Sequence, residues 1–193
     1  MFNKLKVKFM KYIVIIWMVF WLALTGCATT QGEEFSGFAQ SIDISALSGV
    51  YRNKAEANST ALPPRYLSAF LWRGDTSVPH AAVHTVLLEV KNDMFVQAQA
   101  FGKDGQVMAS NRLERGTHFE FKAGHLQLKT SVQTAGFKSG EPMLGVAKES
   151  IVFGLDDQGH GKLRQLSSAT GMAFLMLPIH VSDEANMRFV RIR

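Results

Sequence analysis

Apolar and polar side chains alternate with a period of two through most of the chain after residue 44, and turn residues interrupt the alternation at short intervals. In Phe95–Phe101, phenylalanine and glutamine alternate with small apolar residues, whereas Val83–Val90 is nearly apolar on both faces. A period of two is typical of β-strands, so the pattern predicts about eight or nine short antiparallel strands. The other predicted strands are 107–113, 118–122, 126–130, 151–155, 163–168, 172–177 and 187–192.

One segment, Arg65–Trp72, shows a clear helical periodicity. Pro63 and Pro64 precede it as helix initiators, and Gly74 follows as a stop signal. The sequence therefore predicts an all-β fold, a single antiparallel barrel or strongly curled sheet with one short helix.

The amino terminus has a different pattern. Four lysines, at positions 4, 6, 8 and 11, precede the apolar run Tyr12–Leu24, and Leu24-Thr25-Gly26-Cys27 ends it. These residues resemble a signal peptide with the lipobox of bacterial lipoproteins, which implies lipidation of Cys27 and cleavage directly before it. The alternative is a membrane-spanning helix, which needs about 20 apolar residues, more than this run supplies.

We therefore divide the chain into a signal peptide (1–26), a lipidated cysteine with a flexible tether (27–43) and a β-barrel-like domain (44–193). The tether could also pack as an extended strip on the domain.

Removing the signal takes four lysines from a chain of net charge +5 and leaves 17 Lys and Arg against 16 Asp and Glu. This near balance gives no support to a nucleic-acid partner. Cys27 is the only cysteine, so the domain has no disulfide and no thiolate zinc site.

Gly49-Val50-Tyr51 opens the folded domain, and the chain ends Arg188-Phe189-Val190-Arg191-Ile192-Arg193. The pattern resembles the Gly-x-Trp opening of lipocalin-like barrels, with tyrosine in place of tryptophan. The resemblance implies that the glycine permits a tight bend, that the aromatic ring plugs the closed end, and that an arginine of the last strand packs over the ring. The alternative is an ordinary first strand with a half-buried tyrosine.

No group of residues predicts catalysis or a metal site. His80 and His84 would share a face on a helix, but in a strand residues four apart lie about 13 Å from one another. Asp156–Gly159 lacks the alternating ligands of a calcium loop and predicts a hairpin turn instead. Nucleophile elbows and phosphate loops are absent from the sequence, so we predict a protein that is not an enzyme and has no cofactor.

The functional prediction is a lipid-anchored envelope lipoprotein on the periplasmic face of the outer membrane. The residue after Cys27 is Ala28, whereas aspartate at that position retains enterobacterial lipoproteins in the inner membrane. The domain either binds a small apolar or lipid-like ligand inside a barrel, or acts as a structural or assembly protein through contacts with an envelope partner. Val96, Ala98 and Ala100 facing inward would leave room for a ligand, whereas inward phenylalanines would fill it.

Overall fold

The computed structural model describes residues 28–30, 37–40, 43–56, 64–135, 143–173 and 177–193. These residues form ten strands, one short α-helix, α1 (Leu67–Leu71), and one 3₁₀ helix (Ile44–Leu47). The strands are β1 (Ala28–Thr30), β2 (Gly49–Arg52), β3 (Thr85–Asn92), β4 (Phe95–Phe101), β5 (Val107–Glu114), β6 (Phe119–Lys122), β7 (His125–Ala135), β8 (Met143–Leu155), β9 (Gly161–Ala173) and β10 (Leu177–Phe189). Of the predicted strand 172–177, residues 172 and 173 belong to β9, residue 177 begins β10, and residues 174–176 lie outside the described part of the chain.

Within the described part of the chain the strands make two sheets. The small sheet has the order β2-β3-β4-β5, and the large sheet has the order β1-β10-β9-β8-β7-β6. Apart from β1, which pairs in parallel with β10, every strand pairs antiparallel with a strand adjacent to it in sequence. The predicted all-β class and antiparallel pairing are therefore confirmed.

The predicted closure of the sheet into a barrel, or its strong curling, is wrong. On one side, the chain after β10 joins the two sheets: the amide N–H of Val50 donates to the carbonyl of Arg193 at 3.0 Å, and that of Arg52 to Val190 at 2.8 Å. On the other side, β5 and β6 belong to different sheets and are not paired as strands in the described part of the chain, and an isolated bridge joins Arg115, directly after β5, to Phe119 of β6. Alternation of side chains predicts strands but does not predict whether the sheet closes. Closure here depends on β6, which has four residues and pairs only with β7.

The core lies between the inner faces of the two sheets. Its largest fully buried side chains are Tyr51, Phe119, Phe153 and Phe189, one or more from each sheet. Each such ring contributes roughly 1.5–3 kcal/mol relative to an exposed position. On β4 the inward residues are Val96, Ala98 and Ala100, and the two phenylalanines of the strand lie on the other face.

The predicted helix forms as α1, and its amino-terminal end is capped by Asn53, a residue distant from it in sequence. Tyr66 at the N-cap position makes no capping hydrogen bond through its side chain. Instead, the amide N–H of Ser68 donates to Oδ1 of Asn53 at 2.8 Å, and that of Leu67 donates to the Asn53 carbonyl at 2.8 Å. Gly74, at φ +79°, follows the helix in the left-handed conformation that glycine adopts without strain.

The hairpin turn predicted at Asp156–Gly159 is confirmed. Oδ1 of Asp156 accepts hydrogen bonds from the backbone N–H groups of Gln158 and His160, each at 2.9 Å. Gly159 has a φ of +78°, which a side chain would disfavour. The carboxylate therefore organises its own turn, as aspartate commonly does.

Candidate functional site

Cys27 and the rest of the lipobox lie outside the described residues, as does the whole predicted signal peptide. The described residue nearest to Cys27 in sequence is Ala28, the first residue of β1, which lies opposite Val181 of β10. In the described part of the chain, no helix is long and apolar enough to cross a membrane. Further along, the backbone N–H of Ala39 donates to Leu155 at 2.8 Å, and the Phe38 ring stacks edge-on against His125.

Gly49, Tyr51 and Arg191 come together at the end of the domain where the two sheets are joined. The Arg191 guanidinium lies 6.0 Å from the centroid of the Tyr51 ring and donates a hydrogen bond to the Ser48 carbonyl. A Cβ atom on Gly49 would lie 2.5 Å from Nε of Arg191, so glycine is required for the arginine to approach. The aromatic ring, the cation and the glycine thus form one close-packed cap.

Burial changes the acid–base behaviour of this cap. Tyr51 is fully buried, and its hydroxyl donates to the Leu47 carbonyl at 2.8 Å. Removal from water raises the pKa of Tyr51 to about 12, against an opposing attraction from the positive charge of Arg191. The phenol is consequently neutral at physiological pH and acts as a structural hydrogen-bond donor rather than as an acid or base.

A cleft of about 430 Å³ opens beside the seam between β5 and β6, and residues of β5 and β7, which are not paired with each other, line it. The carboxyl-terminal end of α1 covers it, because Nδ2 of Asn111 on β5 donates to the Leu71 carbonyl at 3.4 Å. Its apolar wall combines the helix with one residue from each strand. The lining residues are Phe70, Leu71, Trp72, Arg73, Asp75, Ser110, Asn111, Leu113, Thr117, His118, Leu128 and Lys129.

Polar groups surround this apolar wall. Nδ1 of His118 accepts a hydrogen bond from the Glu114 amide at 3.0 Å, which leaves the other ring nitrogen as the donor of the neutral imidazole. Lys129 adds an ammonium group on β7, and Trp72 is almost fully buried with no hydrogen-bond partner for its indole N–H among the described residues. The cleft therefore combines a hydrophobic surface with nitrogen donors suited to a carboxylate or other oxygen-rich group.

An ion pair links this cleft to the inner face of the large sheet. Arg73, which follows α1, pairs with Glu149 of β8, and Gln165 of β9 donates to the same carboxylate at 2.5 Å. Beside Glu149 lies a shallow concavity of about 210 Å³, lined mainly by small and polar side chains. The lining residues are Ser131, Gln133, Ala147, Lys148, Glu149, Ser167, Ser168, Ala169, Val181 and Asp183.

The histidines do not converge on a metal site. Among the described residues, no three or more His, Cys, Asp or Glu side chains are close enough to hold one metal ion. His118 lies opposite Lys129 rather than His125, because its carbonyl accepts from the Lys129 amide at 2.9 Å. Nδ1 of His80 lies 3.1 Å from the Ser68 hydroxyl, and that of His160 accepts from the Arg191 amide at 3.1 Å. Each of these two imidazole rings thus contacts a neighbouring group of the fold and stabilises the local structure.

The arginines near the carboxyl terminus are also engaged within the fold. Nε of Arg188 lies 2.8 Å from Oδ2 of the buried Asp156, an ion pair by distance in which the N–H does not point at the oxygen. The same guanidinium reaches Glu56 at 3.4 Å, and Arg191 covers Tyr51. These contacts bind the last strand to β2 and to the β8–β9 turn.

Sequence reasoning missed the residues that build the cleft. Trp72 was considered only as the end of a predicted helix, and neither Arg73 nor Glu149 was considered. Asn53 was also missed, although its buried side chain makes three hydrogen bonds to α1 and the 80–83 loop, and its backbone carbonyl accepts another from Leu67. The only available signal was a polar residue placed directly after an apolar strand, which is too common to identify a site.

Comparisons of the chain with protein-family models, with curated proteins and with solved structures gave no significant match. The functional argument therefore depends on the sequence and on the geometry described above.

Proposed function

We propose that this chain is a lipid-anchored envelope lipoprotein on the periplasmic face of the outer membrane, and that its domain binds a small lipid-like ligand without catalysing a reaction. The amino-terminal sequence ending at Cys27 supports the anchor. The observation that carries the binding function is the cleft between β5 and β7. Its volume of about 430 Å³ lies in the range of ligand sites, which are commonly 300–1,000 Å³.

The lining of the cleft supports an amphipathic ligand. Phe70, Leu113 and Leu128 offer apolar contacts, and His118 and Lys129 lie on the same cleft with nitrogen donors. Such a site suits a short acyl or alkyl chain that ends in a carboxylate or similar anion, because the chain gains from leaving water and the anion gains a charged partner.

The space between the sheets is a weaker candidate for the ligand. Four aromatic rings are fully buried there, and protein interiors of this kind are packed to the density of organic crystals. The small residues of β4 face inward, but Asn111, the cross-strand partner of Ala98, binds the backbone of α1. α1 thus occupies the space that the small side chains of β4 leave open.

We also propose a relationship to lipocalin-like barrels in which one seam has opened. Two observations support it: the strands follow one another around the fold, and Arg191 lies over Tyr51 with Gly49 beside it. In this proposal the open seam between β5 and β6 and the cleft next to it are the same feature.

The test is native mass spectrometry of the domain purified from the periplasm with Cys27 removed, followed by titration with dodecanoate. Trp72 is the only tryptophan outside residues 1–26 and lines the cleft, so its fluorescence reports binding directly. We expect a retained low-mass adduct or a saturable fluorescence change with dodecanoate.

Leu128→Glu should abolish the fluorescence change, because it places a negative charge in the apolar wall. Val107→Glu is the matched control, since Val107 is 50% exposed on β5 and does not line the cleft. A clean mass together with no response to dodecanoate would refute the binding function.

The second candidate is a structural or assembly lipoprotein that acts through surface contacts. It is favoured by several apolar side chains on the long strands that face away from the core, among them Val132, Val146 and Met172. Failure of the ligand test would leave this candidate as the better explanation of the domain.

A further inference from the structure

Among the described residues, the far ends of β8, β9 and β10 in the large sheet carry no charged side chains. We call this region the uncharged tip, and it consists of residues 143–147 of β8, 169–173 of β9 and 177–181 of β10, which lie opposite one another in register. These fifteen residues include no Asp, Glu, Lys or Arg, and His180 is their only titratable side chain. Within these strands the first charged residues beyond the tip are Lys148 of β8, Arg164 of β9 and Asp183 of β10.

The uncharged tip is exposed on both faces of the sheet. Val146 is 40% exposed and Met172 42% exposed on one face, and Val181 is 42% exposed on the other. Each of these side chains lies on strands that continue from the core but extend beyond it, since Ile151 and Phe153 of β8 are buried. Contiguous exposed apolar surface of this kind marks a contact with a protein or a membrane.

The position of β1 distinguishes between these partners. Ala28, the residue after Cys27 in sequence, lies opposite Val181 of the uncharged tip, and Thr30 lies opposite Asp183. Because β1 and β10 are parallel, the amino-terminal end of β1 faces the same end of the sheet as Leu177, where β10 begins. Ala28, the residue that follows the proposed lipidation site in sequence, is therefore adjacent to the uncharged tip and not to the opposite end of the domain.

We propose that the uncharged tip contacts the surface of the bilayer in which Cys27 is anchored. This inference rests on the proposed lipidation of Cys27. The acyl chains hold the tip at the membrane, and the tip in turn sets the orientation of the domain, with the Tyr51 cap directed away from the lipid. Burial of its apolar side chains among the headgroups adds to the attachment that the acyl chains provide.

The depth of the contact follows from the strand geometry. Five residues of antiparallel strand extend about 17 Å, while interfacial segments enter roughly 5–10 Å into the headgroup region. β1 covers the edge of β10 only along Val181–Asp183, so the backbone groups of the preceding tip residues lack a strand partner on that side among the described residues. Unpaired backbone groups do not enter hydrocarbon, so the tip lies in the interface and does not span the bilayer.

The experiment uses the full, processed chain in vesicles of phosphatidylethanolamine and phosphatidylglycerol. In a lipidated chain Cys27 is blocked, so Met172→Cys introduces a single thiol for an environment-sensitive nitrobenzoxadiazole label. Met94→Cys is the matched control, because Met94 is 49% exposed in the turn between β3 and β4, at the end opposite the uncharged tip. We expect the label at position 172 to shift to the blue and to lose its fluorescence when nitroxide lipids are added, while the label at position 94 does neither.

Equal, water-like behaviour of both labels in a chain that sediments with the vesicles would overturn the inference while leaving the lipid anchor intact. A chain that stays in the supernatant and whose Cys27 reacts with a maleimide would instead overturn the proposed anchor. Burial of the label at position 172 that nitroxide lipids do not quench, together with disulfide-linked dimers through that position, would assign the tip to contacts between copies of the chain and would also overturn the inference.

Discussion

Tyr51→Phe tests whether the cap at the joined end of the sheets contributes to stability as the structure indicates. The substitution removes one hydroxyl from a fully buried ring and leaves the Leu47 carbonyl, which is also buried, without that donor. A buried polar group that loses its partner costs about 1–3 kcal/mol. We therefore expect the free energy of unfolding at pH 8 to fall by about 1 kcal/mol or more.

The pH dependence gives a second and sharper expectation. Burial raises the pKa of Tyr51 from 10.0 to about 12 in the folded protein, so the folded state holds the phenolic proton more tightly than the unfolded state. The contribution of this pKa difference to the free energy of unfolding is fully present below pH 10 and is lost as the pH rises towards 12. At pH 11 the loss amounts to a factor of about ten in the folding equilibrium, or about 1.4 kcal/mol. Tyr51→Phe has no phenol at this position, so its free energy of unfolding does not fall for this reason.

The assay is urea unfolding of the mature domain at pH 8 and pH 11, followed by the fluorescence of Trp72. The difference in stability between the natural chain and Tyr51→Phe should narrow or reverse at the higher pH. Tyr66→Phe is the control, because Tyr66 is only partly buried and should change neither value substantially. Parallel declines of the natural chain and Tyr51→Phe between the two pH values would refute the reasoning about burial.

Three further outcomes follow from the same description. Cys27→Ala should abolish metabolic labelling with palmitate, and equal labelling of both chains would exclude Cys27 as the acceptor. Asn53→Ala should lower the stability by about 3 kcal/mol or more, because it leaves two buried groups and one partly buried group without their hydrogen-bond partner, whereas the exposed Asn92→Ala should have a small effect in the same thermal unfolding experiment. Gly171→Ala should speed hydrogen exchange in β8 and β9, since its Cβ would collide with the Leu144 carbonyl, and unchanged exchange would show that the backbone adjusts.

Much of this protein could be predicted from local sequence pattern. Alternation in Val83–Val90 and Phe95–Phe101 located β3 and β4, because a strand places successive side chains on opposite faces wherever it lies in the fold. The helix at Leu67–Leu71 and the turn at Asp156–Gly159 were equally predictable, since proline, glycine and aspartate act within a few residues of their own positions. The prediction of a lipobox ending at Cys27 likewise depends on a contiguous pattern, and it stays a prediction.

Only the tertiary structure determined which face of β4 is inside, where the two sheets join and where they separate. The small residues of β4 and its phenylalanines were both plausible inward rows, and the choice depended on how β3 and β5 pack around them. The cleft unites Trp72, Leu113 and Leu128, which are distant in sequence, and Glu149 pairs with Arg73 across 76 positions of the chain. Local pattern cannot predict such contacts, because they depend on strand register and sheet closure, which are set by the packing of the whole core rather than by any one segment.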